Sequence, residues 1–307
     1  MAHPEPPAAS AATPSSNTAA ANNAAPHTAP HPAANDGRPA EMRPPIVTVV
    51  LVRHGRSTAN TAGILAGRTP GVNLDDHGRD QAAAISDRLA GTRFDRLVSS
   101  PLERCRQTLA PFSASSGLQV EIDDRFAEVD YGEWSGRQLK DLGSESLWRT
   151  VQQHPSAAVF PGGEGLAAVA ARAAAGIRDI RGSAVPNLAQ QNEAQQNQAQ
   201  QNLTVLVCSH GDVIKAILAD ALGMHLDAFQ RIVVAPASIS VIRYTPLRPF
   251  VERVNDTGDL GSISPYPTAT ESTDAPPTEA QPAGAPASPD IADVEASSDA
   301  VPGGVVR

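Results

Sequence analysis

Two histidines stand in settings that could do chemistry. His54 follows Arg53 and precedes Gly55, with Arg56, Ser57 and Asn60 close behind; His210 sits between Ser209 and Gly211. Two guanidiniums beside an imidazole repel a cation but suit a phosphate, because each offers a planar fork of donors and stays charged. They also disfavour a protonated ring, which leaves one nitrogen free as a nucleophile. Gly55 would let the backbone approach an oxyanion closely. On residue types alone His54, His210, Asp212 and Glu128 could also make a metal site, but the adjacent arginines oppose it.

Such side chains need a scaffold, and the flanking sequence supplies one. Residues 46–52 form a short, nearly continuous apolar run rich in β-branched residues, as in a strand buried on both faces. Asp75 can cap a helix over 76–90, and 94–99 reads as a second strand. Ser100 and Pro101 are a favourable N-cap and first helical residue for a helix over 101–112. A short strand at 118–122, a loop at 125–136 and helices at 138–153 and 164–181 follow. The run 203–208 is another buried strand, followed by a helix ending near Gly223. Residues 231–234 and 238–244 read as two last strands. Alternating strands and helices indicate an α/β domain. In such sheets ligands bind beyond the carboxyl ends of the strands. Both polar turns fall there, so His54 and His210, 156 positions apart in the chain, are expected to face one pocket.

The motifs carry a resemblance. The run Arg53-His54-Gly55-Arg56-Ser57-Thr58-Ala59-Asn60 resembles the signature of the histidine phosphatase (phosphoglycerate mutase-like) superfamily. The stretches from Ser99 to Thr108, from Glu128 to Gly136 and from Ser209 to Gly211 are similar to its three companion motifs, in the same order. Details such as GRTPG and FPGGE look most like an actinobacterial branch described as phosphomutases or phosphatases. The resemblance covers about 46–245. It implies a three-layer αβα sandwich around a mixed, mostly parallel sheet, and phosphoryl transfer through a phosphohistidine. By position His54 matches the nucleophile. Arg53, Arg104 and His210 match the phosphate clamp, and Glu128 the proton donor to the leaving oxygen and base for water. Ser57 and Asn60 match hydrogen-bonding partners, and Gly211 a backbone contact to the phosphate. Arg56 stands where relatives often have Glu or Ala, and either extends the anionic site or lies on the surface. Asp130 and Glu133 are close enough to Glu128 to share its role. No metal is implied, since arginines neutralise the charge.

Dedicated mutases carry several basic residues after the Glu128 loop. Here the segment 137–160 offers only Arg137, Lys140 and Arg149. The expectation is therefore a phosphatase acting on a small phosphorylated metabolite. The alternatives are a phosphoglycerate mutase-type enzyme, for which 2,3-bisphosphoglycerate would be the cofactor, and a catalytically silent binding protein of the same fold.

Composition bounds the rest. The net charge of −9 hides a division: residues 45–254 carry 21 basic and 21 acidic residues, while 255–307 carry nine acids and one base. Of 27 prolines, 17 lie in 1–44 and 255–307. Such segments cannot offset the entropy of ordering, so the expected organisation is a disordered Ala/Pro-rich tail over 1–44, one domain over 45–254, and a disordered acidic tail over 255–307. A low-complexity Gln/Asn insert occupies 182–202. A neutral domain without a basic block argues against nucleic acid as ligand. No apolar run reaches the length of a membrane span. The opening MAHPEPPAAS has neither the basic nor the apolar region of a secretory signal; a cytoplasmic enzyme is expected, with a homodimer as the common assembly. Cys105 and Cys208 read as small core hydrophobes, and Trp134 as either packing or lining the pocket mouth.

Overall fold

Seven residues of β1 (Val47–Arg53) explain why the first apolar run is unbroken. Val47, Val49 and Leu51 join one core cluster, and Val50 and Val52 join another on the opposite side. A strand alternates its side chains, so a helical layer on each face demands apolar residues at every position. The same alternation recurs in β4 (Leu203–Ser209), with Val205 and Val207 in the first cluster and Leu206 and Cys208 in the second.

The computed structural model describes residues 45–184 and 202–258. Its other strands are β2 (Arg96–Ser99), β3 (Val120–Ile122), β5 (Ile239–Tyr244) and β6 (Pro249–Asp256). They form a six-stranded sheet in the order β3-β2-β4-β1-β5-β6. The four strands from β3 to β1 run parallel; β5 pairs antiparallel to β1, and β6 antiparallel to β5. Helices α2 (Asp76–Leu89) and α3 (Glu103–Ser116) cover the second cluster. Helices α6 (Leu166–Gly182) and α7 (Gly211–Leu222) cover the first. Three short helices, α1 (Thr58–Thr61), α4 (Leu139–Leu142) and α5 (Ser146–Gln153), lie in the connections. The expected three-layer αβα sandwich with a mixed, mostly parallel sheet is therefore present.

Asp75 caps α2, its carboxylate accepting the Gly78 amide at 2.7 Å. Ser100 is not the N-cap of α3, which starts at Glu103 behind Leu102; its hydroxyl meets His210 Nε2 at 2.7 Å and accepts the Leu102 amide at 3.3 Å. The helix expected over 138–153 is two, α4 and α5, separated by Gly143, Ser144 and Glu145. Residues 231–234 are not a strand. Ile232 and Val234 are buried, but β1 already has β5 as its partner on that side, and the Val234 carbonyl accepts Arg53 Nη1 at 2.7 Å. The final strand is β6, which sequence reasoning left out and which carries the domain to Asp256, two residues past the expected boundary. Arg88 of α2 holds Asp256 at 3.0 Å. The tails before 45 and after 258, and most of the insert from 185 to 201, lie outside the described residues. Among the described residues no helix is long and apolar enough to cross a membrane.

Candidate active site

The site follows from strand register. β1 and β4 pair in parallel with Arg53 opposite Ser209, so the next residue of each chain, His54 and His210, leaves the sheet beside the other. The His54 amide donates to the Ser209 carbonyl at 3.0 Å, which carries the pairing one step past the strands. The two rings lie 5.1 Å apart, tilted by 59°. β2 ends next to β4, and the Ser100 amide donates to the Cys208 carbonyl, bringing Arg104 in the first turn of α3 to the same place. A small cavity opens there, lined by Arg53, His54, Ser57, Asn60, Arg104 and Glu128 among others.

His54 is 3 % exposed, and its tautomer is fixed by its neighbour. Nδ1 lies 2.8 Å from the Gly55 carbonyl, which can only accept, so Nδ1 carries the proton and Nε2 keeps its lone pair. Burial, reinforced by the charges of Arg104 and Arg53, holds this imidazole well below the usual histidine range. Arg104 donates from Nε to His54 Nε2 at 3.2 Å and from Nη2 to the Gly67 carbonyl at 2.9 Å. Its Nη1 is buried without a partner among the described residues. A buried guanidinium nitrogen with no acceptor is costly unless an anion completes it. Gly67 has a positive φ of 52°, and a Cβ there would meet Ser135 Oγ at 2.8 Å, so only glycine places that carbonyl. Burial also lowers the Arg53 guanidinium to about 10, still charged at neutral pH.

Glu128 lines the same cavity. Its loop is fastened by its carbonyls: Arg172 of α6 donates to those of Arg125, Ala127 and Glu128, and Arg68 also donates to that of Glu128. Burial, then the charge of Asp212, pushes the Glu128 carboxyl up to about 7. Its Oε2 lies 3.7 Å from His210 Nδ1, too long for a hydrogen bond. Burial and Arg104 hold His210 well below the usual histidine range, so the imidazole is uncharged here and the contact is not an ion pair. His210 Nε2 meets Ser100 Oγ at 2.7 Å. Asp212 accepts from the Tyr131 hydroxyl at 2.8 Å and lies 3.5 Å from Lys215 Nζ. Asp212→Asn removes a negative charge close to Glu128. We expect the Glu128 carboxyl to titrate at lower pH in that variant, as followed by NMR of labelled glutamate; an unchanged midpoint would mean burial alone sets it.

Not every expected residue joins the cavity. Ser57 and Asn60 line it while closing a reciprocal cap on α1. Arg56 is outside the lining, its Nε 2.6 Å from Asp75 Oδ2. Gly211, which opens α7, is also outside the lining, and so is His210: it lies beside His54 as expected but is fully buried, with Nε2 on Ser100 Oγ, and does not itself line the pocket. Gly55 serves packing: a Cβ there would lie 2.6 Å from the Gly78 carbonyl oxygen. Asp130 is occupied with the Gly132 amide, and Glu133 is exposed. Trp134 is buried in the core. Among the described residues no three His, Cys, Asp or Glu side chains gather as a metal site would require. Cys105 is buried as expected, but its Sγ also lies 3.5 Å from His210 Nε2.

Comparison with known families decides the relationship. The model of the histidine phosphatase superfamily (branch 1) matches residues 49–257, more than half of the chain. This chain belongs to the histidine phosphatase superfamily. Phosphoserine phosphatase 1 of Hydrogenobacter thermophilus is 30 % identical over 221 residues, covering 71 % of this chain and 96 % of that protein. A 2,3-bisphosphoglycerate-dependent phosphoglycerate mutase of Brucella ovis is 34 % identical over 135 residues, 41 % of this chain and 64 % of the mutase. Among solved structures, the alpha-ribazole phosphatase of Shigella flexneri superposes with a TM-score of 0.56 at 26 % identity, covering 68 % of this chain and 96 % of that one. As a histidine phosphatase superfamily member the chain is an enzyme of phosphoryl transfer.

Sequence reasoning missed several residues that hold this superfamily's site in place here. Arg68 and Arg172 position Glu128 through backbone carbonyls, and both bind Glu164, at 2.8 and 3.0 Å. Lys215 sits buried behind Asp212. The signal for Lys215 was present, because a lysine among Val213, Ile214, Ile217 and Leu218 on an apolar helix must find a partner. An arginine that serves distant carbonyls leaves no such mark.

Proposed function

We propose that the chain is a phosphatase that hydrolyses small phosphate monoesters through a phosphohistidine on His54. The observation that carries this reading is that an uncharged His54, its Nδ1 tied to the Gly55 carbonyl, lines one cavity with Arg53, Arg104 and a Glu128 carboxyl raised to about 7. Nε2 attacks phosphorus in line with the ester oxygen. The P–N bond forms as the P–O bond breaks, and the Glu128 proton passes to the departing alkoxide. Arg53 and Arg104 neutralise the charge on the phosphoryl oxygens. Glu128, now a carboxylate, takes a proton from water as its oxygen attacks phosphorus and the P–N bond breaks. Two guanidiniums do the work of a metal ion in this scheme, and turnover is expected to persist in EDTA.

A mutase would need to hold the organic part of a second phosphorylated molecule through its carboxylate. The scarcity of basic residues over 137–160 favours hydrolysis. The test is Glu128→Gln. Its kcat/KM for alkyl phosphates is expected to fall by about 10^2- to 10^4-fold, with a loss below tenfold for p-nitrophenyl phosphate, whose leaving group needs no proton. Equal losses on both substrates would remove Glu128 from the acid role. In the wild type the acid must be protonated, so kcat/KM for alkyl phosphates should decline as pH rises through about 7.

A further inference from the structure

The cavity wall beyond the phosphate clamp carries no charge. Besides Gly67 and the polar pair Ser57 and Asn60, which are hydrogen-bonded to each other, it is made of Ile64, Leu65, Ala66 and Leu139, with Tyr131 beside them. The Tyr131 hydroxyl is spent on buried Asp212, which leaves ring carbon for the cavity. Outside the clamp, the arginines that flank this wall in sequence, Arg56, Arg68 and Arg137, are each held by an acid, as is Arg172 behind the Glu128 loop. Arg56 is on Asp75 at 2.6 Å and Arg68 on Glu164 at 2.8 Å. Arg137 is on Glu145 at 2.6 Å, and Arg172 on Glu164 at 3.0 Å. Arg68 is tied a second time, to the Glu128 carbonyl, so releasing it would also loosen the loop that carries Glu128. Lys140, next in the chain to Leu139, is exposed and outside the lining.

A carboxylate brought into such a wall meets apolar carbon and engaged guanidiniums, and an unpaired charge cannot be desolvated cheaply. An alkyl or aryl group there is buried favourably. We infer that the site selects phosphate monoesters of uncharged, largely apolar alcohols and discriminates against those bearing a carboxylate near the phosphate. This specificity rests on the phosphatase reading above and narrows it.

The test compares propyl phosphate, glycerol 3-phosphate and 3-phosphoglycerate with the full-length protein in EDTA. These three esters differ stepwise by hydroxyls and then a carboxylate. We expect kcat/KM to fall from the first to the last by at least 100-fold. Leu139→Arg, which places an unengaged cation in the wall, should close that gap by tenfold or more. Lys140→Ala should leave the ratio within twofold. A kcat/KM for 3-phosphoglycerate equal to or above that for propyl phosphate would overturn the inference while leaving the phosphatase reading intact. So would residual 3-phosphoglycerate turnover that disappears in Lys140→Ala alone. Failure to hydrolyse all three esters and p-nitrophenyl phosphate would overturn the phosphatase reading and this one with it.

Discussion

His54→Asn is expected to lower kcat for p-nitrophenyl phosphate by about 10^4-fold or more, since it removes the nucleophile rather than a helper. Asparagine is the informative replacement. Its amide N–H can reproduce the donation from His54 Nδ1 to the Gly55 carbonyl at 2.8 Å, so the buried turn keeps its bond. What it lacks is a nucleophilic nitrogen where Nε2 stood. Rapid quench of the wild type with labelled substrate should trap an acid-labile, base-stable phosphoenzyme that the variant does not form. Turnover within tenfold of the wild type would sink the nucleophile assignment, and a label that survives in the variant would place the phosphoryl group on another residue.

Arg104 carries the second large effect. Its guanidinium spans three positions: Nε2 of His54, the Gly67 carbonyl, and a buried Nη1 with no partner among the described residues. Lysine keeps the charge but offers one nitrogen, and cannot serve three directions at once. Arg104→Lys is therefore expected to cost about 10^2- to 10^3-fold in kcat/KM, the scale of losing one preorganised transition-state donor, with weaker inhibition by inorganic phosphate. Arg104→Ala should cost more and also shift titration. The Arg104 charge lowers Glu128 and His54, so its removal raises both. The alkaline limb of the profile should move up in this variant, opposite to the direction expected for Asp212→Asn. Limbs moving the same way in both variants would mean that Glu128 does not control that limb.

Much of this was legible in the sequence because it depends on local pattern. The buried runs at 46–52 and 203–208 announce central strands, and polar turns at their ends announce where a ligand sits. The meeting of His54 and His210 needs only parallel neighbours in register. What escaped depends on partners distant in the chain. Ser100 has every local qualification as a helix cap, yet His210, 110 residues away, takes its hydroxyl. The β-branched run at 232–234 lacked a free sheet edge, which one sequence cannot reveal. β6 opens on Pro249 and alternates poorly, with several exposed positions, as an edge strand can. Glu128 was singled out through its motif, but the reason its carboxyl titrates higher than usual, a burial that Asp212 reinforces, required the fold.

The register of Arg53 opposite Ser209 also separates what this protein can change from what it cannot. The two histidines hang from adjacent strands at the centre of the sheet, joined by the His54 amide itself, so neither can shift without slipping a ladder packed on both faces. The apolar wall over 64–66 and Leu139 belongs to connections outside the sheet. Substitutions at Ile64, Ala66 and Leu139 can redraw that side of the cavity while the two histidines stay fixed, whereas Leu65 is part of the core that packs on β1 and β4. New specificities are thus reachable by single steps that never pass through a damaged catalyst, which makes the wall the place to begin redesign.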